Sequence, residues 1–196
     1  MAGIYISSTK ILAFAAPISV ISNKPGFAMD TMNLQRTTYA NPGQRWEIKT
    51  NLVPTNDSAD FFVHSVMNNF DTVFDIQMPQ VYRGRNYNVS SASRTASGSA
   101  GSSVISVSGS GLLKGEFVRF VDDPTHYKTY VIAENQSGGV VSIFPPLKKA
   151  VAGEMQCGDN VHFRATYDNT NALGMIYVDG ILMDPGTITF IEAVSP

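Results

Sequence analysis

Three histidines (His64, His126 and His162), one cysteine (Cys157) and the acidic pair Asp122-Asp123 are the side chains with which this 196-residue chain could bind a metal or run a reaction. Metal centres need ligands clustered at short spacing. The histidines lie far apart, and none has a partner at helical or C-x-x-C spacing. His162 sits in an alternating stretch and reads as a surface or hydrogen-bonded histidine. Asp122-Asp123 runs into Pro124 and reads as a turn rather than a cation site. Gly98-Ser99-Ala100-Gly101 does not fit the G-x-S-x-G elbow of serine hydrolases. Lys114 follows Gly111 but leads into a strand, so the pattern is not a phosphate loop. Two carboxylates can hydrolyse a glycosidic bond without any local motif, yet nothing selects a pair here. Asn56, Asn88 and Asn135 each stand in a glycosylation pattern, which reads as chance in a serine-rich chain. The expectation is a protein with no catalytic, cofactor-binding or metal-ligating residues, no cofactor and no enzymatic activity.

Composition narrows the class. Hydrophobic residues make up 43%, enough for a real core. Charged residues make up 15%, against about a quarter in an ordinary soluble domain. A surface short of charge is either covered by neighbours or built from Ser, Thr and Asn, and this chain is rich in all three. The net charge of -2 leaves no basic footprint, so no specific nucleic-acid recognition is expected. The single cysteine excludes an intrachain disulfide. The apolar run 11–21 is too short to span a bilayer and contains Pro17. It lacks the basic start and small-residue cleavage site of a signal peptide. It reads as a buried N-terminal strand of a protein made and used without export.

Alternation at period two dominates the elements that would carry these residues. In 112–151, three short runs rich in β-branched and aromatic residues are separated by turn residues. Gly115 precedes the first run and Asp123-Pro124 ends it. Ser137-Gly138-Gly139 reverses the chain between the second and third. Pro145-Pro146 stops the third, since neither proline donates to a ladder. A three-stranded meander is marginal alone and must close with other strands. In the N-terminal half, 45–52 alternates best, with Trp46, Ile48 and Leu52 on one face and Thr50 interrupting it. Further strand candidates are 17–20, 34–39, 74–78, 104–108, 160–167, 174–178 and 187–194. Phe62, Val63, Val66, Met67 and Phe70 recur at helical spacing after the capping residues Asn56, Asp57 and Ser58. They predict a single short helix.

Residues 90–111 form a composition break, because fourteen of the 22 are Ser or Gly. The first part, 90–103, reads as a loop. The expected fold is mainly β: an N-terminal β-sandwich-like domain with one short α-helix over 1–89, the Ser/Gly loop, and a small SH3- or OB-like barrel, inserted or appended, over 104–167. Strands in 168–196 then return to the N-terminal domain.

Three segments in this order resemble the minor tail proteins of long-tailed bacteriophages, of the distal tail, tail-tip or baseplate-hub type. They are Arg45-Trp46-Glu47-Ile48 with Leu52 and Pro54, then Phe74-Asp75-Ile76 closing at Pro79. The third is Leu113-Lys114-Gly115-Glu116-Phe117-Val118-Arg119-Phe120 with 127–131 and Ile143-Phe144-Pro145-Pro146-Leu147. Glu116 stands where that family more often has Asp. The resemblance covers about residues 34–165. It implies a non-catalytic virion protein located in the tail, assembled in the host cytoplasm, and forming a homo-oligomeric ring that joins tail tube to tip. Other tail proteins, not a membrane, would be its partners. The competing reading is a β-sandwich module that binds carbohydrate or a receptor through Tyr82, Tyr87, Tyr127 and Tyr177.

Overall fold

A computed structural model describes residues 3–6, 9–30, 32, 36–40, 43–54, 73–77, 94–158, 161–168, 176–178, 182–184 and 186–193. The expected helix at 56–70 lies outside the described residues. Those described form strands and turns with almost no helix. None contains a helix long and apolar enough to cross a membrane.

Two closed antiparallel barrels of six strands each carry the fold. The first contains β1 (Gly3–Ile6), β2 (Thr9–Asn23), β5 (Arg45–Leu52), β16 (Thr187–Glu192), β13 (His162–Tyr167) and β6 (Phe74–Gln77), paired in that order around the ring. The second contains β7 (Arg94–Gly98), β8 (Val104–Val107), β9 (Phe117–Phe120), β10 (Thr129–Ile132), β11 (Val140–Phe144) and β12 (Val151–Cys157). Its ring order is β10-β11-β8-β7-β12-β9. All six strands of the second barrel lie between β6 and β13 in the sequence, and β6 and β13 pair with each other. The second barrel is therefore an insertion into the first. Two separate ribbons complete the fold: β3 (Gly26–Asp30) with β4 (Arg36–Ala40), and β14 (Ile176–Val178) with β15 (Leu182–Asp184).

The period-two pattern explains the first core. Trp46, Ile48, Thr50 and Leu52 all point inward from β5. Thr50, the apparent interruption, is only 2% exposed. Its hydroxyl donates to the carbonyl of Ala15 at 3.1 Å. That carbonyl borders an irregularity in β2 where the register with β5 shifts between Ala15 and Ser19. Pro17 falls in this bulge, where its missing N–H costs no ladder bond. The apolar run 11–21 is thus a strand, but only partly buried: Phe14 is in the core, whereas Ile21 is exposed. Aromatic rings fill the barrel. Phe74 lies 4.7 Å from Tyr167 and 5.9 Å from Phe190, centroid to centroid.

Three expectations are corrected here. Where a sandwich-like N-terminal domain was expected, six strands close into a ring. In the Ser/Gly stretch, 94–98 is strand β7 rather than loop, paired with β8 and β12. The physical reason is close approach. A Cβ on Gly98 would sit 2.7 Å from Leu147 Cδ1 and 2.8 Å from Ile105 Cγ2, so this strand needs small residues where composition suggested a linker. Strand pairing also draws the second barrel over 94–157 rather than 104–167, because β13 belongs to the first barrel. Cys157 ends β12 and is buried.

The turn between β10 and β11 follows its sequence. Gly138 and Gly139 have φ of 58° and 77°, the left-handed pair that a tight two-residue hairpin requires. Ser137 and Val140 close it with reciprocal N–H···O bonds of 3.1 and 3.0 Å. Within the second barrel, Val118, Phe120, Tyr130, Ile132, Ile143 and Met155 make the core.

Candidate functional site: the junction of the barrels

Strand β9 is buried at all four positions, on both of its faces. Val118 and Phe120 face the inside of the second barrel. Phe117 belongs instead to the core cluster of the first barrel. Its ring meets Trp46 edge-on, with centroids 5.5 Å apart and planes at 90°. The outer face of β9 is therefore where the two barrels meet.

At this junction one carboxylate gathers donors from both barrels. Glu192 ends β16 and is 2% exposed. Its Oε2 accepts from the ammonium of Lys128 and from the backbone N–H of Trp46, the latter at 3.1 Å. Its Oε1 accepts from the N–H of Thr129 at 2.7 Å. Lys128 Nζ also donates to the carbonyl of Gln44 at 2.8 Å and stands 5.9 Å above the Trp46 ring. The indole Nε1 of Trp46 donates to the carbonyl of Thr129 at 2.8 Å. Burial raises the Glu192 carboxyl above its usual range, opposed by Lys128 and the two backbone donors. Burial lowers the Lys128 ammonium, opposed by Glu192. A buried charge pair is tolerated when further hydrogen bonds support it, as the Trp46 and Thr129 N–H groups and the Gln44 carbonyl do here. The carboxylate is enclosed by donors from both barrels and ties them together.

A second polar cluster crosses the same seam. Asp75 on β6 pairs with Arg164 on β13 at 3.3 Å and with Arg119 on β9 at 3.6 Å. Arg119 also donates to the carbonyl of His162 at 3.3 Å. The Arg164 guanidinium lies 4.8 Å from the centre of the Tyr127 ring.

The other sequence candidates fall apart in space. His126 is wholly buried in the second barrel, with Nε2 2.8 Å from the Tyr130 hydroxyl. That hydroxyl accepts from the N–H of Lys148 at 3.0 Å. Burial lowers His126 and pushes Tyr130 up to about 12. His162 lies on β13, and burial lowers it too. Asp123 caps a turn through Thr125, its carboxylate accepting from the N–H of Thr125 at 2.8 Å. His64, Tyr82 and Tyr87 lie outside the described residues. Tyr177 is on β14, and Tyr127 lies beneath Arg164. Among the described residues, no three His, Cys, Asp or Glu side chains come together as a metal site.

Sequence reasoning missed the clamp. One signal for it was present: Glu192 shares its strand face with Ile188 and Phe190, an isolated carboxylate on an apolar face. Nothing marked Lys128 as its partner 64 residues away.

Beside the clamp lies a cleft of about 760 Å³. Its walls include Pro25, Pro145, Pro146, Leu147 and Ala193, and its polar side chains include Gln44, Arg45, Lys128 and Lys148. Among the described residues, no aromatic side chain lines it.

No protein-family model matches this chain. No curated protein matches it either.

Proposed function

We propose that this chain is a non-catalytic structural protein of a long-tailed bacteriophage virion, a ring-forming component of the distal tail, tail tip or baseplate hub that joins tail tube to tip. One observation carries the reading. The three resembling segments are separated in sequence, yet they contribute to one junction. The first supplies Trp46 and the second Asp75. The third supplies Phe117 and Arg119, and its later part supplies the cleft walls Pro145, Pro146 and Leu147. A shared motif order concentrated at an inter-barrel seam is what a rigid assembly block requires, since a subunit between neighbours must hold its two halves in fixed relation. The low charge fraction supports the same reading, because a covered surface needs few charges. The inserted barrel reads as SH3- or OB-like.

The test is a reconstruction of the purified virion. A symmetric ring of this chain around the tail axis is the expected result. Its presence in the capsid shell, or turnover of a substrate by the purified protein, would overturn the proposal.

A further inference from the structure

The turn between β9 and β10 puts a single side chain into the interior. Of residues 121–127 only His126 is buried, and it is wholly so. Its ring stands between Phe120 on β9 and Tyr130 on β10, each 5.7 Å away from centroid to centroid. The exposed end of the turn is folded on itself. Asp123 accepts from the N–H and the hydroxyl of Thr125 at 2.8 and 2.7 Å, and Lys149 reaches Thr125 Oγ1 at 2.7 Å.

The hydrogen bonds around the ring fix its charge state. The Tyr130 oxygen accepts from the Lys148 N–H at 3.0 Å. Among the described residues, the hydroxyl proton of Tyr130 has one acceptor, His126 Nε2, 2.8 Å away. Nε2 therefore carries no proton, and the neutral ring keeps its N–H at Nδ1. Nδ1 is buried and has no hydrogen-bond partner among the described residues. A further proton has only Nε2 to go to, which turns that nitrogen into a donor. Of the three protons then carried by the ring and the hydroxyl, only one finds an acceptor, the Tyr130 oxygen. A buried cation with unmet donors is costly. The charged groups facing the ring do not reverse this. Burial is the strongest influence and opposes the charged form. Asp122 and Asp123 favour it, while Lys149 and Arg119 oppose it.

The same turn leads straight to the barrel junction. Two residues beyond His126, Lys128 meets Glu192. Thr129 follows, giving its N–H to Glu192 and accepting the Trp46 indole N–H. The Lys148 N–H held by Tyr130 belongs to the segment 145–148 that walls the cleft. One displaced ring therefore disturbs both the Glu192 contacts and the cleft wall.

We propose that His126 is an acid-released latch on the barrel junction: proton uptake from solvent drives its ring out from between Phe120 and Tyr130, and the freed turn withdraws Lys128 from Glu192. The latch goes beyond the phage-tail reading and stands whether or not that reading holds. Once Lys128 leaves, the chief influence opposing burial at Glu192 is gone, and the carboxyl is drawn toward its protonated form. The sign follows from the closed state. Enclosure holds His126 below its ordinary value of 6.5, which the ring regains in water. The closed form is thus favoured above that value and lost as the pH falls. His126 alone shifts the balance toward the open form by at most about tenfold per pH unit.

Trp46 reports the junction, since it is the chain's only tryptophan and is 6% exposed. Acrylamide quenching of its fluorescence is followed from pH 7 to pH 5, with far-UV circular dichroism on the same samples. The expected result is quenching that rises as the pH falls while the dichroism stays constant. His126→Gln should abolish the rise, and His162→Gln should keep it. Tyr130→Phe, which removes the donor to the neutral ring, should move the rise to higher pH. Quenching that stays flat to pH 5, rises equally in His126→Gln, or rises only with loss of dichroism overturns the latch. Where a substitution prevents folding, the wild type still decides. In two-dimensional NMR the Thr129 and Lys148 amide signals should move with the midpoint of the His126 ring. A Thr129 amide that stays still, or moves with a different midpoint, overturns the proposal as well.

Discussion

Breaking the Lys128–Glu192 pair should cost more than the pair contributes. Removing one partner leaves the other charge buried beneath Trp46 without its counterion. Glu192→Gln or Lys128→Met alone is expected to destabilise the protein by about 3–5 kcal/mol. The double variant should recover much of that loss, because no uncompensated charge remains. Urea denaturation of the four proteins checks this, and additive single costs would refute it. The buried histidines make a separate prediction. Burial, against the pull of Asp122 and Asp123, holds His126 below its ordinary value of 6.5. A group depressed in the folded state stabilises above its unfolded pKa, and that contribution is lost as the pH falls through the folded value. His162 has the same sign. Stability should therefore decline as the pH drops below about 6.5, by at most about 1.4 kcal/mol per pH unit for each histidine. His126→Gln should flatten the slope in denaturation midpoints measured from pH 7 to pH 5. An unchanged slope would place the acid sensitivity elsewhere.

Strand β7 gives the sharpest prediction among the elements. Gly98 lies against Leu147 and Ile105 with no room for a side chain, so Gly98→Val forces the strand from its place. Overpacking of this kind typically costs about 1–3 kcal/mol. Arg94 is buried, and its guanidinium donates to the carbonyl of Ser110 at 2.9 Å. Limited trypsinolysis should therefore spare Arg94 in the wild type and cut there in Gly98→Val. Cleavage at Arg94 in the wild type would contradict the strand. Elements in this chain were legible where side chains alternate by size. Strand β5 shows its inward face in Trp46, Ile48 and Leu52, and the β10–β11 turn announces itself in Gly138-Gly139. Strand β7 was not legible, because Ala96 is buried and Gly98 packs tightly against Leu147 and Ile105 while Thr95 and Ser97 are exposed, and a linker has the same composition. The clamp was hidden for a related reason. Its partners lie on strands far apart in sequence, and pairing between distant strands leaves no local periodicity.

At the level of the whole molecule, the insertion orders folding. The pairing of His162 with Gln77 closes a loop over residues 78–161. Within the second barrel, Arg94 and Met155 are register partners. Once that barrel forms, only 78–93 and 156–161 remain to be spanned. Loop-closure cost falls by about 0.6 kcal/mol per halving of length, so prior folding of the inserted barrel favours closure of the first by about 1 kcal/mol. Pulse-labelling hydrogen exchange during refolding should show protection in β9, β10 and β12 before β6 and β13. Protection of β6 and β13 at the same time or earlier would count against this order. The adjacency of Arg94 and Met155 has one more consequence. The inserted barrel enters and leaves the chain through a single doorway, so it is a cassette that could be exchanged for a short turn without altering the outer ring's connectivity. Such an excision would uncover the Trp46 ring and strip Glu192 of Lys128 and Thr129, leaving at the rim of an otherwise intact barrel a carboxylate that keeps the Trp46 N–H but has lost its counterion.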